Sequence, residues 1–201
     1  ISVNASSGVC SAVVTYTAPT GTDNCAGATT AQTVGLASGA TYTVGVTTNT
    51  FQVTALNGAT ATCSFTVTVV DNQAPVITCP ANITVTATSV ACSAVVTCTA
   101  PTGTDNCAGA STTQIAGLAS GATFPVGVTT NTFRVTALNG TTATCSFTVT
   151  VIDNQAPTIA CPANQSISGT SGAFPCTAPA TYVAPVGADN CPGATTIRTV
   201  G

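Results

Sequence analysis

The sequence predicts an all-β fold in which tandem antiparallel β-sandwiches follow one another end to end. The chain repeats itself, because residues 11–75 match residues 93–157 at an offset of 82 positions with ten differences. Within each copy, apolar and polar residues alternate with a period of two, which is typical of half-buried strands. Clusters of Gly, Pro, Asp and Asn separate these segments and indicate turns.

The strands are easiest to predict in the copy that spans about residues 75–156. An early strand carries Ile83 and Val85 on one face, and residues 133–137 and 145–151 show the same alternation. Asn139-Gly140 lies between the last two segments and indicates a tight hairpin. We expect six or seven short strands per copy and no helix.

The repeat divides the chain into three predicted domains, which we call repeats 1, 2 and 3. Repeat 1 (1–74) lacks its first strand, repeat 2 (75–156) is complete, and repeat 3 (157–201) lacks its C-terminal part. Residues 71–75 and 153–157 are the linkers, and each ends in a proline that restrains the backbone. Because the sequence starts and stops inside repeats, we expect it to be a segment of a longer tandem array in one continuous chain. The alternative is that subunits complete each other head to tail, with the strand around Cys161 filling the gap beside Cys63.

The composition excludes several classes of function. Charged residues make up 3% of the chain, with two arginines, five aspartates and no histidine. Two arginines cannot neutralise a row of phosphates, so nucleic acid is not an expected partner. Without His, Lys or Glu, the usual general bases are missing, and we do not expect an enzyme. Polar residues interrupt every apolar run, so no membrane-spanning helix is predicted.

Eleven cysteines without a histidine favour disulfides over a zinc site. Disulfides place the chain outside a reducing cytosol. A catalytic cysteine is not expected, because no base is available to activate it.

The ordered motifs of repeat 2 resemble the hyalin repeat, or HYR domain. They are Ile77-Thr78-Cys79-Pro80, Ala100-Pro101 followed by Asp105-Asn106, residues 121–127, and the closing segment 145–151. The resemblance implies an immunoglobulin-like extracellular module that serves in adhesion or structural spacing. Thr-rich tandem copies with little charge are similar to those in large secreted or cell-surface adhesins of bacteria, including gliding adhesins.

The resemblance also implies a disulfide between Cys79 and Cys145, which occupy the family's two standard positions. That leaves Cys92 to pair with Cys107, and the equivalent pairs are Cys10–Cys25 and Cys176–Cys191. Cys98 stands where the other copies have Tyr16 and Tyr182. We expect it to remain an unpaired, inward-facing thiol, with an interchain disulfide as the alternative.

Aspartate and asparagine pairs recur in the linkers and in the loops that a tandem sandwich would bring beside them. Their oxygens suit Ca²⁺, and the linker resembles the Asp-Asn-x-Pro linker of cadherins, although cadherin's glutamates are absent. Ions would lie near Asp71 with Asp105 and near Asp153 with Asp189. The candidate ligands are Asp71, Asn72, Asp105, Asn106, Asn139, Asp153, Asn154, Asp189 and Asn190. The alternative is that these residues only form turns.

Four asparagines begin N-x-S/T sequons and are glycosylation candidates: Asn4, Asn82, Asn139 and Asn164.

Two functions are open at this point. The first is a structural and adhesive one, a stalk or filament shaft whose partners are neighbouring repeats. The second is an adhesion module that recognises surface glycans or proteins through its loops. Scarce aromatic residues argue against the second, since aromatic residues make up 4% of the chain.

Overall fold

The structure is a computed structural model that describes residues 1–169 and 178–200. Within these ranges it contains twelve β-strands and no helix, as the sequence predicts. The chain forms two compact units. The first comprises Ile1–Pro80, Ala100–Ala116 and Thr132–Ser146, and the second comprises Ala81–Thr99, Gly117–Asn131 and Phe147–Gly201. Repeat 2 therefore contributes residues to both units, and each unit is described by itself.

Repeat 1 forms a four-stranded and a two-stranded sheet. Its strands are β1 (Ser2–Asn4), β2 (Ser11–Val13), β3 (Thr29–Val34), β4 (Thr41–Thr43), β5 (Gly45–Thr54) and β6 (Thr60–Val70). The strand order is β1-β6-β5-β3 in the larger sheet and β2-β4 in the smaller one. Inward-facing side chains of both sheets form one core, in which Tyr42 and Val67 are fully buried.

Repeat 2 has the same strand order. Its strands are β7 (Ile83–Thr86), β8 (Ser93–Val95), β9 (Ser111–Ala116), β10 (Thr123–Pro125), β11 (Gly127–Thr136) and β12 (Thr142–Ile152). The sheets are β7-β12-β11-β9 and β10-β8. The predicted alternation is confirmed, since Phe147, Val149 and Val151 are buried on one face of β12.

One pairing in each repeat is parallel rather than antiparallel. β1 lies parallel to β6, and β7 lies parallel to β12. In both pairs the two strands are connected through the rest of the repeat instead of through a hairpin, and so long a connection permits a parallel arrangement.

The Asn-Gly hairpins form as predicted. Gly58 and Gly140 have φ values of 82° and 84°, a region that glycine adopts without steric cost. In the second hairpin, the Ala137 N–H donates to the Thr141 carbonyl at 2.9 Å. These turns fix the register of the long strands on either side.

The described part of repeat 3 keeps local features of the other copies. Thr158 and Ala188 exchange two backbone hydrogen bonds of 2.7 and 2.8 Å, as Val76 and Thr104 do in repeat 2. Among the described residues, no helix is long and apolar enough to cross a membrane.

Candidate functional site: the junction of repeats 1 and 2

Of the three disulfides between described residues, two join different repeats. The bonded pairs are Cys10–Cys107, Cys79–Cys145 and Cys92–Cys191. Cys79–Cys145 is the pair that the family resemblance implies. The predicted pairs Cys92–Cys107 and Cys10–Cys25 are wrong, because Cys107 is bonded to Cys10. The predicted pair Cys176–Cys191 is also wrong, since Cys191 is bonded to Cys92, while Cys176 lies outside the described residues.

The path of the chain explains why Cys10 cannot bond to Cys25. The Cys10 carbonyl accepts a hydrogen bond from the Val44 N–H at the start of β5, whereas Gly21 packs against Val53 near its end. At about 3.3 Å per residue, these two levels of β5 are about 30 Å apart. Cys25 lies four residues beyond Gly21, so the chain cannot return to within the ~7 Å that a disulfide requires between Cα atoms.

Cys98 is an unpaired, half-buried thiol, as predicted. Its equivalent in repeat 1, Tyr16, donates its hydroxyl to the Leu36 carbonyl at 2.6 Å. Desolvation raises the pKa of Tyr16 above its ordinary value. The thiol at position 98 is therefore a substitution at a structural tyrosine site.

The first linker is bonded to both repeats that it connects. The Gln73 side chain accepts from the Gly8 N–H at 2.9 Å and donates to the Ser6 carbonyl at 3.1 Å. On the other side, the Gln73 carbonyl accepts from the amide of Asn139 at 2.9 Å and from the hydroxyl of Thr141 at 3.1 Å. Sequence analysis missed Gln73 and Thr141, although a glutamine stands at the same place in both linkers (Gln73 and Gln155).

Asp71 is the buried carboxylate of this junction, with 8% of its surface exposed. It accepts from the amide groups of Asn106 at 3.2 Å and Asn139 at 3.0 Å, and from the Gln73 N–H at 3.1 Å. Asn106 also donates to the carbonyl of Val9 at 3.2 Å. The structure therefore brings together four of the predicted site residues, Asp71, Asp105, Asn106 and Asn139, whereas Asn72 is exposed.

Two oxygen atoms beside Asp71 are buried without a hydrogen-bond partner, namely Asp105 Oδ1 and Asn106 Oδ1. One ligand atom each of Asp71, Asp105 and Cys107 lies within 4.8 Å of the others. The sulfur of Cys107 is in a disulfide, so the useful donors are oxygens, the type that Ca²⁺ prefers. Two carboxylates at this spacing repel each other, and a cation between them would offset that repulsion.

Turn formation accounts for other contacts of the same residues. Asp105 Oδ2 accepts from the Cys107 N–H at 3.3 Å, which is an Asx turn of the kind that aspartate forms without a metal. The amides of Asn106 and Asn139 point their nitrogens at Asp71 and would have to turn over to offer oxygens to an ion. Amide orientations of this kind are assigned from the hydrogen-bond network.

The second junction shares the linker turn and the disulfide. The Gln155 N–H donates to Asp153 at 3.1 Å, and Asn190 donates to the Thr88 carbonyl at 3.4 Å. Asn190 Oδ1 is buried without a partner. Within the described residues, Asp153, Asp189 and Cys191 do not form a cluster as tight as that of Asp71, Asp105 and Cys107. Asn154 is exposed.

Three of the four sequon asparagines differ from Asn139 in their surroundings. Asn4, Asn82 and Asn164 are exposed, and Asn82 uses its oxygen to accept from the Thr148 N–H at 2.9 Å. Asn139 is exposed too, but its amide nitrogen, the atom that would carry a sugar, donates to Asp71 and Gln73. Glycosylation of all four remains a prediction.

Comparison with protein families matches the HYR domain to residues 1–69 and again to residues 70–151. Comparison with curated proteins finds no match.

Solved structures similar to the chain include cadherin domains and an endo-fucoidan hydrolase from glycoside hydrolase family 107. Protocadherin gamma B2 extracellular cadherin domains 1-5 are 15% identical, with 56% of this chain and 27% of that chain covered and a TM-score of 0.30. Protocadherin gammaB7 EC3-6 is 16% identical, with 69% of this chain and 45% of that chain covered and a TM-score of 0.33. Human CDH23 EC21-23 is 15% identical, with 68% of this chain and 56% of that chain covered and a TM-score of 0.32. The chain spans less than two thirds of each of these proteins, and the TM-scores are too low to support an argument.

Proposed function

Since the chain belongs to the HYR domain family, we propose that it is a load-bearing segment of a stalk or filament shaft in a long extracellular surface protein. The proposal treats residues 1–74, 75–156 and 157–201 as successive structural repeats without a catalytic role. Three disulfides require an oxidising compartment, which agrees with a secreted or cell-surface location. The partners of each repeat are then its neighbours in the array.

The covalent path through the disulfides is the observation that supports this proposal most directly. From residue 1, the path runs to Cys10, crosses to Cys107, returns to Cys92, and crosses to Cys191. This path between residues 1 and 201 crosses 34 peptide bonds, which span about 120 Å when fully extended. In the reduced chain, the same two residues can be drawn about 700 Å apart. Tension on the chain is therefore carried by the short crossing segments, and most of the protein is bypassed.

Force spectroscopy on the full chain, held at its two termini, tests the proposal. We expect the oxidised chain to stop extending near 120 Å and the reduced chain to reach about 700 Å. Pairing within repeats, as in Cys10–Cys25, would instead allow about 350 Å. Replacing Cys10 and Cys107 by serine should also give a maximum extension of about 350 Å, because the disulfide that joins residue 10 directly to residue 107 is lost.

A glycan array with the same oxidised chain separates the stalk from a glycan-binding module. We expect no binding, because exposed aromatic rings are the usual platforms for sugars and few are available. Tyr42 is fully buried and Tyr16 is tied to a backbone carbonyl, which leaves Tyr182 as the one exposed ring among the described residues, with 55% of its surface accessible. The stalk would be contradicted by two results together. One is specific glycan binding that persists after the disulfides are reduced, and the other is an extension of the oxidised chain under force well beyond 120 Å.

Calcium at the first junction is a second proposal, and it rests on Asp105 Oδ1, which is buried without a partner near the Asp71 carboxylate. Asp71 and Asp105 would supply the charge, and the amide oxygens of Asn106 and Asn139 would complete the set after turning over. A bound cation would remove the repulsion between the two carboxylates and stabilise the junction.

A further inference from the structure

The Cys10–Cys107 disulfide lies against the two carboxylates of the first junction. We propose that this group is a redox-gated zinc site. When the disulfide is reduced, Cys10, Cys107, Asp71 and Asp105 bind one Zn²⁺ ion, which then joins repeats 1 and 2 in place of the covalent bond. The proposal concerns the reduced chain. It shares two carboxylates with the calcium proposal but requires neither calcium binding nor the stalk.

The type and number of the ligands fit zinc. In the oxidised chain the two sulfur atoms are bonded to each other, and the thiolate is the form of cysteine that binds a metal. Reduction supplies two thiolates beside two carboxylates, which makes four donors, the number in a tetrahedral structural zinc site. Thiolates are soft ligands that favour Zn²⁺, whereas carboxylates alone suit Ca²⁺ and Mg²⁺. Reduction therefore changes the type of metal that the junction favours.

The ligand atoms are already close enough to share one ion. The sulfur of Cys107 and one carboxylate oxygen each of Asp71 and Asp105 lie within 4.8 Å of one another. The Cα atoms of Cys10 and Cys107 are 4.7 Å apart. Zn–S bonds of about 2.3 Å and Zn–O bonds of about 2.1 Å place the ligand atoms of a tetrahedral site about 3.4–3.8 Å apart. Side-chain rotations that move these atoms by about 1–2 Å therefore suffice.

Hydrogen bonds that do not depend on the disulfide hold two of the ligands in place. Asp71 is 8% exposed and accepts from the amides of Asn106 at 3.2 Å and Asn139 at 3.0 Å. The Cys10 carbonyl accepts from the Val44 N–H at 3.2 Å. Contacts of this kind orient the ligands of metal sites. We therefore expect the group to persist when the disulfide is reduced.

Two further observations point to an ion at this position. Asp105 Oδ1 is buried without a hydrogen-bond partner, while Asp105 Oδ2 accepts from the Cys107 N–H at 3.3 Å. An unpartnered oxygen is thus held beside the sulfur. An open cleft of about 360 Å³ reaches the same group, and Cys10, Asp71, Cys107 and Asn139 are among the residues that line it. A reductant and a metal ion therefore have an entry path, which a metal site requires.

The step that opens the site conserves atoms and electrons. A dithiol reductant attacks one sulfur of the disulfide as a thiolate, and its second thiol then displaces the mixed disulfide. The reductant is oxidised to its own disulfide, while Cys10 and Cys107 take up two electrons and two protons and become thiols. One Zn²⁺ ion then replaces these two protons, which pass to solvent.

Metal titrations of the full chain test the site. The chain carries C92S and C191S, so that the second junction contributes no thiolates from its own disulfide. A phosphine reduces the remaining disulfides, and with one water molecule each reaction gives two thiols and the phosphine oxide. We expect the reduced chain to bind Co²⁺ with the visible absorption of tetrahedral cobalt and a thiolate-to-cobalt charge-transfer band, and Zn²⁺ to displace the cobalt. The oxidised chain should show neither absorption and should bind Zn²⁺ about a hundredfold more weakly.

Matched variants identify the ligands. C107S should weaken Zn²⁺ binding to the reduced chain about a hundredfold, because one of four ligands is lost. C25S replaces the exposed thiol at the equivalent position of repeat 1 and should leave the affinity unchanged. D105N should weaken binding about tenfold, whereas D23N, at the equivalent exposed residue, should have no effect. Circular dichroism before and after reduction measures whether the strands persist.

Three results would overturn the proposal. The first is an equal effect of C107S and C25S, or of D105N and D23N, on the zinc affinity of the reduced chain. The second is an oxidised chain that binds Zn²⁺ as tightly as the reduced one. The third is loss of the β-sheet signal on reduction, because the site requires a junction that persists without its disulfide. Calcium binding is measured on the oxidised chain and the stalk by extension under force, so each proposal can fail alone.

Discussion

Cys10 and Cys107 belong to different repeats and are bonded to each other, with their Cα atoms 4.7 Å apart. Cys107 is 4% exposed, and its neighbours Asp105 and Asn106 line the same junction as Asp71. The disulfide thus closes a hydrogen-bonded contact between the linker, the loop that precedes β2 and the loop that follows Pro101. The covalent bond and the polar contacts support the same junction.

Removing this disulfide should destabilise the protein. The C10S/C107S variant opens a link with a sequence separation of 97 residues, for which the chain-entropy model gives a loss of about 4.7 kcal/mol in the free energy of unfolding. Denaturant unfolding of the oxidised proteins measures this loss. The control is C25S, which replaces the exposed, unpaired equivalent of Cys107 and should change stability by less than about 0.5 kcal/mol. Equal effects of the two variants would contradict the pairing.

The hairpin residue Asn139 should matter more than its equivalent Asn57. Both form an Asx turn, with Thr141 and Ala59 respectively, but Asn139 also donates to Asp71 and Gln73. We expect Asn139→Ala to lower the free energy of unfolding by about 1–3 kcal/mol more than Asn57→Ala, because it leaves a buried carboxylate short of a donor. Thermal unfolding of the two variants under identical conditions decides this. If both cost the same, the junction bonds contribute nothing beyond the turn.

The sequence alone was sufficient to predict the strands, because the signal is local. Alternation along β12 and the Asn139-Gly140 turn follow from the residues themselves, and the structure has both. The repeat offset and the linker also placed Asp71 beside Asp105, Asn106 and Asn139.

Disulfide pairing was less predictable because it depends on the three-dimensional positions of the cysteines at the two ends of a segment. Cys10 and Cys25 are close in sequence, but the segment between them crosses the length of β5, so Cys10 bonds to Cys107 of repeat 2 and Cys25 is left unpaired. The side-chain contacts of Gln73 could not be predicted either, since they require the relative positions of two loops from different repeats.

Gly103 should tolerate no side chain. A Cβ at this position would lie 2.5 Å from Val135 Cβ, and Val135 is fully buried. We expect Gly103→Ala to destabilise the protein by about 1–3 kcal/mol through overpacking. Gly169→Ala is the control, since a Cβ there meets no atom within 4 Å.

A double variant identifies the cause of that loss. Adding Val135→Ala to Gly103→Ala should recover part of the stability, so the two changes are not additive. Strict additivity in urea unfolding would show that the clash with Val135 is not the reason.

Calcium binding at the first junction predicts a shift in thermal stability that depends on Asp105. Asp71 and Asp105 place ligand oxygens within 4.8 Å of each other, and Asp105 Oδ1 is buried without a partner. If Ca²⁺ binds with the ~10⁻⁴ M dissociation constant of extracellular modules, a free Ca²⁺ concentration one hundred times that constant stabilises the folded chain by about 2.7 kcal/mol. Calorimetric melting with Ca²⁺, with a chelator, and with NaCl at matched ionic strength measures the shift.

Asp105→Asn should abolish the calcium shift, because it removes one of the two carboxylates. The matched control is Asp23→Asn, which changes the equivalent but exposed residue of repeat 1 and should keep the full shift. Asp105→Asn should also raise the melting temperature in chelator, since it removes the repulsion between two nearby carboxylates. A wild-type chain that melts at the same temperature with Ca²⁺ and with chelator would leave these residues as turn formers, the role that the Asx turn of Asp105 with the Cys107 N–H already gives them.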